Sequence, residues 1–153
     1  MKRACYVFLL LFAFSQLASA LPEPNLTGAW IADRINGQAS PSPEHYPIVI
    51  TQNRNDFVVD YDRRSPTMKQ EYVTDGKERE LVQIGNPSRT YYTAIWVENS
   101  LIIDKESENR MPSDGRTVAM HTREVWSISA DGKTLTRVTT LRNASITIAY
   151  KKL

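Results

Sequence analysis

Glu124 is the residue whose position most needs a chemical explanation. It shares its two-residue alternation with Met120, Trp126 and Ile128, so it falls on an apolar strand face. A carboxylate on such a face needs a cation beside it, or its pKa rises. Arg137, on a facing strand, could supply that cation. Three readings stay open: a buried ion pair, a strand end reaching solvent, or a polar group that orients a ligand in a cup. The other reactive side chains are sparse. The histidines are His45 and His121, and no Gly-x-Ser-x-Gly nucleophile elbow occurs. Met120 and His121 are neighbours on a strand, so they point to opposite faces and make a poor metal pair. A zinc site usually needs three protein ligands, which two distant histidines and no cysteine beyond the leader do not provide. Asp60 and Asp62 share a face, but two such carboxylates are ordinarily the wet side of a strand. The expectation is a protein that is not an enzyme, with no catalytic residues, metal or cofactor.

The elements that position these residues read as all-β. Ten β-rich runs are expected, over 28–35, 46–53, 57–63, 68–74, 77–84, 89–97, 100–106, 116–129, 134–142 and 145–152. Most connections are short and rich in turn residues, such as Thr74-Asp75-Gly76-Lys77 and Ala130-Asp131-Gly132-Lys133. Short turns join antiparallel neighbours, so the chain predicts an antiparallel up-and-down meander of about 8–10 strands, which closes into a barrel to remove its edges. Two longer connections, over 36–45 and 105–116, both run from an odd to an even strand. They belong at one end of the barrel, as candidate lids of its mouth.

Each strand has one apolar face, taken as inward. Tyr61, Tyr72, Trp96, Met120, Glu124 and Trp126 are the candidates for lining a ligand cavity. The same aromatics could instead fill a small barrel completely. An outer-membrane barrel is disfavoured because several strands carry charge on both faces and the chain ends in Lys-Lys-Leu.

Residues 1–20 have the form of a secretory signal peptide: Lys2-Arg3, an apolar run from Cys5 to Phe14, and the small-x-small motif Ala18-Ser19-Ala20. The run is too short to span a membrane. Residues 21–153 are then one domain, and Cys5 is the chain's single cysteine, so that domain has no disulfide. A cysteine-free secreted domain points to a bacterial periplasm or culture fluid. The formal charge of +2 is carried by Lys2 and Arg3, and the rest is balanced. Nucleic acid and anionic membranes are therefore not expected as partners.

Several motifs carry a resemblance. Gly28-Ala29-Trp30 opens the first strand after the leader, and Thr74-Asp75-Gly76-Lys77-Glu78 forms a turn. Ala94 to Ile103 runs from a Trp-ended strand through a turn into Leu-Ile-Ile, and Arg123 to Thr136 forms a long hairpin. Together they resemble small secreted bacterial proteins described as lipocalin-like. The resemblance implies a calycin-type barrel without an assigned activity. It also implies that Gly28 and Trp30 close one end and that a late basic residue, Arg137, Arg142 or Lys151, packs over Trp30. The functional expectation is a barrel that binds a small apolar or amphipathic molecule. The alternative is a non-catalytic interaction, inhibitor or envelope-accessory protein with a filled core. Nothing in the sequence sets an oligomeric state.

Overall fold

A computed structural model describes residues 23–40, 47–62, 68–82, 88–110 and 115–153. These residues form eleven strands and no α-helix. The strands are β1 (Gly28–Ile35), β2 (Gln38–Ala39), β3 (Pro47–Asn53), β4 (Asp56–Asp60), β5 (Lys69–Val73), β6 (Arg79–Glu80), β7 (Arg89–Val97), β8 (Ser100–Arg110), β9 (Thr117–Ile128), β10 (Thr134–Leu141) and β11 (Ala144–Lys152). Their order in the sheet is β5-β4-β3-β1-β11-β10-β9-β8-β7-β6, with β2 returning on β1. Each of these pairings is antiparallel. The first and last long strands lie side by side, Trp30 opposite Lys152, and the meander curls into a barrel. Turn chemistry explains the tight hairpins. Between β9 and β10, Gly132 takes φ 71°, while Asp131 accepts bonds from the Ser129 hydroxyl and the Lys133 amide.

Three details differ from the expectation. The charged connection over 105–116 is shorter than predicted, because β8 and β9 stay paired as far as Arg110 and Thr117. Apart from the inward Lys105, its charges along β8 sit on alternate residues, Glu106 and Glu108, and Glu106 lies 3.7 Å from His121 across the strands, so charge density there marks a wet face rather than a loop. The strand expected over 77–84 shrinks to Arg79–Glu80. The turn at Thr74–Lys77 does not form a hairpin ladder either, since β5 pairs with β4 and β6 with β7. Asp75 holds Arg79 at 2.8 Å and the Lys77 amide at 3.1 Å, while the Gly76 amide bonds Ala94 O at 2.9 Å. This stretch is thereby committed to β7. Among the described residues the β5–β6 seam is bridged by an isolated Asp75–Ile95 pairing and by the Tyr92 hydroxyl, which accepts from the Val73 amide at 3.0 Å.

The connections after β1 and β8 leave from the same end of the barrel, as strand parity requires. The opposite end is packed. Leu26 and Trp30 are fully buried there. The Trp30 indole donates to Leu26 O at 3.0 Å, and the Leu26 amide donates to Gln52 Oε1 at 3.0 Å. Gly28, at φ 155°, sits where a Cβ would lie 3.1 Å from Lys152 Cε and 3.3 Å from Trp30 Nε1, so glycine permits that close approach. Phe57, Leu101, Leu135 and Trp126 continue the buried core along the barrel axis.

Candidate ligand site inside the barrel

Polar groups gather on the inward face beside the aromatic core. Phe57 meets Trp126 edge-on with ring centroids 5.7 Å apart, Tyr72 meets Tyr92 edge-on at 5.1 Å, and Trp126 stacks on Tyr150 at 6.5 Å. Such geometries let the positive ring edges face negative ring faces. Glu124, two residues from Trp126 on β9, is buried beside this cluster. Its Oε2 accepts from the Trp126 indole at 3.0 Å, and its Oε1 pairs with Lys105 Nζ at 2.5 Å. Lys105 also donates to the Tyr72 hydroxyl at 3.2 Å, and that hydroxyl donates to Gln70 Oε1 at 2.5 Å. Arg137, from β10, donates to the Tyr61 hydroxyl at 2.9 Å. Its guanidinium lies 5.2 Å from the Trp126 ring centroid and 5.5 Å from that of Tyr61. Its Nε is buried without a hydrogen-bond partner among the described residues.

Burial, with Glu124 adding to it, raises the pKa of both Tyr61 and Tyr72, and burial raises that of Tyr150. Burial opposes the charge of Arg137, but Tyr61, Tyr150 and Glu124 outweigh it and hold the guanidinium protonated. Among the described residues this interior brings two basic side chains, Lys105 and Arg137, beside one acidic side chain, Glu124.

The site residues predicted from sequence distribute as follows. Tyr61, Tyr72, Glu124 and Trp126 all belong to this network. Met120 is half-buried on the same inward alternation, four residues before Glu124. Trp96 is half-buried against the core, and its indole nitrogen has no partner among the described residues. Gly28 and Trp30 lie at the packed end. His45 lies outside the described residues. His121 is on the outer face, with Glu106 at 3.7 Å. Asp60 sits opposite Val49 and Lys69, facing away from the buried Val59. No group of three or more potential metal ligands occurs among the described residues.

Two expected pairings are corrected. The cation on Glu124 is Lys105, not Arg137, because Arg137 is drawn to Tyr61 and the Trp126 face. The basic residue over Trp30 is Lys152, 5.6 Å from the ring centroid, rather than Arg137, Arg142 or Lys151. Lys152 is the direct cross-strand partner of Trp30, whereas Lys151 points outward and pairs with Asp33 at 3.3 Å. Lys105 lies where the expected strand 100–106 and the expected connection 105–116 overlap, so the sequence expectation gives it no face. Extending the alternation Leu101, Ile103 by one step places it inward beside them.

No protein-family model matches the chain, and no curated protein matches it in sequence. Solved structures do share its fold. One is the REP1-NXSQ fatty acid transporter, at TM-score 0.57 and 12% identity, covering 84% of this chain and 96% of the other. Another is secretory abundant heat soluble protein 4 from Ramazzottius varieornatus, at TM-score 0.54 and 13% identity, covering 84% and 94%. A third is a mutant of the fluorescent protein UnaG, at TM-score 0.53 and 14% identity, covering 83% and 95%. At such identities the likeness concerns the barrel alone.

Proposed function

We propose that this chain is a secreted, non-catalytic carrier of a small amphipathic molecule held inside the barrel. The observation that carries the reading is Arg137: a half-buried side chain whose guanidinium lies between two aromatic rings and whose buried Nε has no hydrogen-bond partner among the described residues. A buried donor without an acceptor is costly, and an acidic headgroup would satisfy it. The excess of one basic side chain in the described interior favours the same ligand class. Tyr61 would share the headgroup, and the half-buried Met120 would offer apolar surface to the tail. The likeness of fold to a fatty acid transporter supports a cup of this kind. Residues 1–20 would serve as the leader, cleaved after Ala20, so that the exported protein begins at Leu21; amino-terminal sequencing of that protein checks this.

Native mass spectrometry of protein from its own host tests the carrier role. A retained lipid-sized adduct is expected. A second arm titrates stripped protein with a long-chain carboxylate and its methyl ester. The carboxylate should bind more tightly, and Arg137→Gln should abolish that preference. Bare protein that takes up neither probe overturns the reading.

A further inference from the structure

The outer face of β7–β10 carries an unusual cross-strand row. Ile95 stands opposite Ile102, Ile102 opposite Val125, and Val125 opposite Val138. These four alternate with the buried Ala94, Leu101 and Trp126 and with the inward Arg137, so they face outward. They form a contiguous aliphatic stripe across four strands, with Ile95 47% exposed and the other three half-buried. Exposed apolar residues scattered singly need no explanation, whereas a continuous stripe is the form that a contact surface takes.

The rows beside the stripe indicate what covers it. On one side lie Asp104 and Arg123, opposite each other, and two residues further on lie Glu106 and His121. On the other side Ser100 stands opposite Ser127. Consider a two-fold axis parallel to the strands and midway between β8 and β9. It sets each β8 residue against its β9 counterpart in a second copy. Ile102 then meets Val125, Ser100 meets Ser127, Asp104 meets Arg123, and Glu106 meets His121. The next strands match as well, with Ile95 against Val138 and Thr93 against Thr140. Between β8 and β9 apolar meets apolar, hydroxyl meets hydroxyl and acid meets base, as an isologous interface requires, while at the edge of the serine row Val97 meets Thr136. Within one copy the charges are already paired loosely, Arg123 Nε to Asp104 Oδ1 at 3.6 Å and His121 Nδ1 to Glu106 Oε2 at 3.7 Å. The two-fold would turn the Asp104–Arg123 pair into a four-charge square. A shallow concavity of about 390 Å³ between these side chains, with Tyr91 and Arg142 at its rim, leaves room for the partner's side chains.

We infer that the β8–β9 outer face is a homodimer interface, with a second copy of this chain as its partner. The inference goes beyond the carrier role and stands without it. Four strands about 4.8 Å apart, each showing about four outward residues, cover roughly 450 Å² per copy. Burying about 900 Å² in total places the contact at the weak end of specific interfaces, so the dimer forms at high protein concentration.

Sedimentation of the purified protein from about 1 μM to 1 mM tests this. A concentration-dependent dimer is expected. Val125→Arg should raise its dissociation constant at least tenfold with an unchanged far-ultraviolet circular dichroism spectrum. If that variant unfolds, Ile102→Lys, across the axis, reads the same contact. Asp104→Arg should weaken the dimer similarly, because it sets like charges together across the axis. Adding Arg123→Asp should restore it to within about threefold of the parent. A protein that stays monomeric to 1 mM overturns the inference. So does a dimer indifferent to Val125→Arg, a double charge swap that fails to restore it, or a monomer that pellets with lipid vesicles through this face.

Discussion

The two halves of the barrel interior are built on opposite principles. At the packed end Leu26, Trp30, Leu101 and Leu135 are fully buried, and the indole nitrogen there is satisfied by a backbone carbonyl. Further along the axis Glu124, Lys105, Arg137, Tyr61 and Tyr72 bring charge and hydroxyls into the same enclosure. The first region gains from burying apolar area, at about 25 cal/mol per Å². The second must offset the desolvation of three charges by pairing them, which at best returns little net stability. A fold held by packing alone has no structural need for the second region. Stability therefore belongs to the packed end, and the polar network is the part that calls for a functional explanation.

The sharpest way to break this comparison is to remove one residue from each half. Trp30→Ala should cost about 4 kcal/mol, as a large-to-small change in a fully packed site. Chemical denaturation measures it, and a loss below about 1 kcal/mol would remove Trp30 from its place as the keystone of the packed end. Lys105→Met should cost about 3 kcal/mol, because it strands Glu124 as a buried charge. Adding Glu124→Leu should recover most of that loss, since the apolar pair needs no desolvation, but not all, since the Trp126 indole then lacks its acceptor. A double variant as unstable as the single would mean that the ion pair contributes to stability as the packed end does. Arg137→Gln should leave the denaturation midpoint nearly unchanged but weaken binding of a long-chain carboxylate about tenfold, or about 1.4 kcal/mol, while sparing the methyl ester.

The packed end was legible in the sequence and the polar region only partly so. Gly28-Ala29-Trp30 and the alternation in each strand located the core, because burial imposes a period of two that sequence displays directly. Glu124 stood out for the same reason, as a charge out of phase with its polarity. Its partner did not. Lys105 lies in a run of charges, and whether such a run is loop or strand depends on cross-strand partners distant in sequence, here Arg123 and His121. Arg137 was set on the wrong partner and Lys152 was passed over for a related reason: alternation says which face a cation occupies, whereas register says which ring it meets. The seam between β5 and β6 was hidden because Asp75-Gly76 signals a tight turn and does not say whether the flanking strands go on to pair.

The smallest expected effect distinguishes the two halves by pH. Tyr61 and Tyr72 are held neutral by burial next to Glu124, so their pKa values in the folded protein lie above the ordinary value near 10. Below pH 10 neither state loses these protons, and their contribution is fully present. Above it the unfolded chain releases them first, the folded state binds more protons, and stability falls as pH rises toward the folded pKa values. Each such tyrosine steepens the decline by up to about 1.4 kcal/mol per pH unit. Tyr61→Phe should therefore flatten the curve, retaining about 1 kcal/mol near pH 11 relative to the parent once the two are matched at pH 8. Trp30 variants should keep the parent slope, because Trp30 itself carries no titrating group. Equal slopes in Tyr61→Phe and the parent would mean that the Tyr61 hydroxyl reaches water in the folded state, and the polar network would then be a rim rather than an interior.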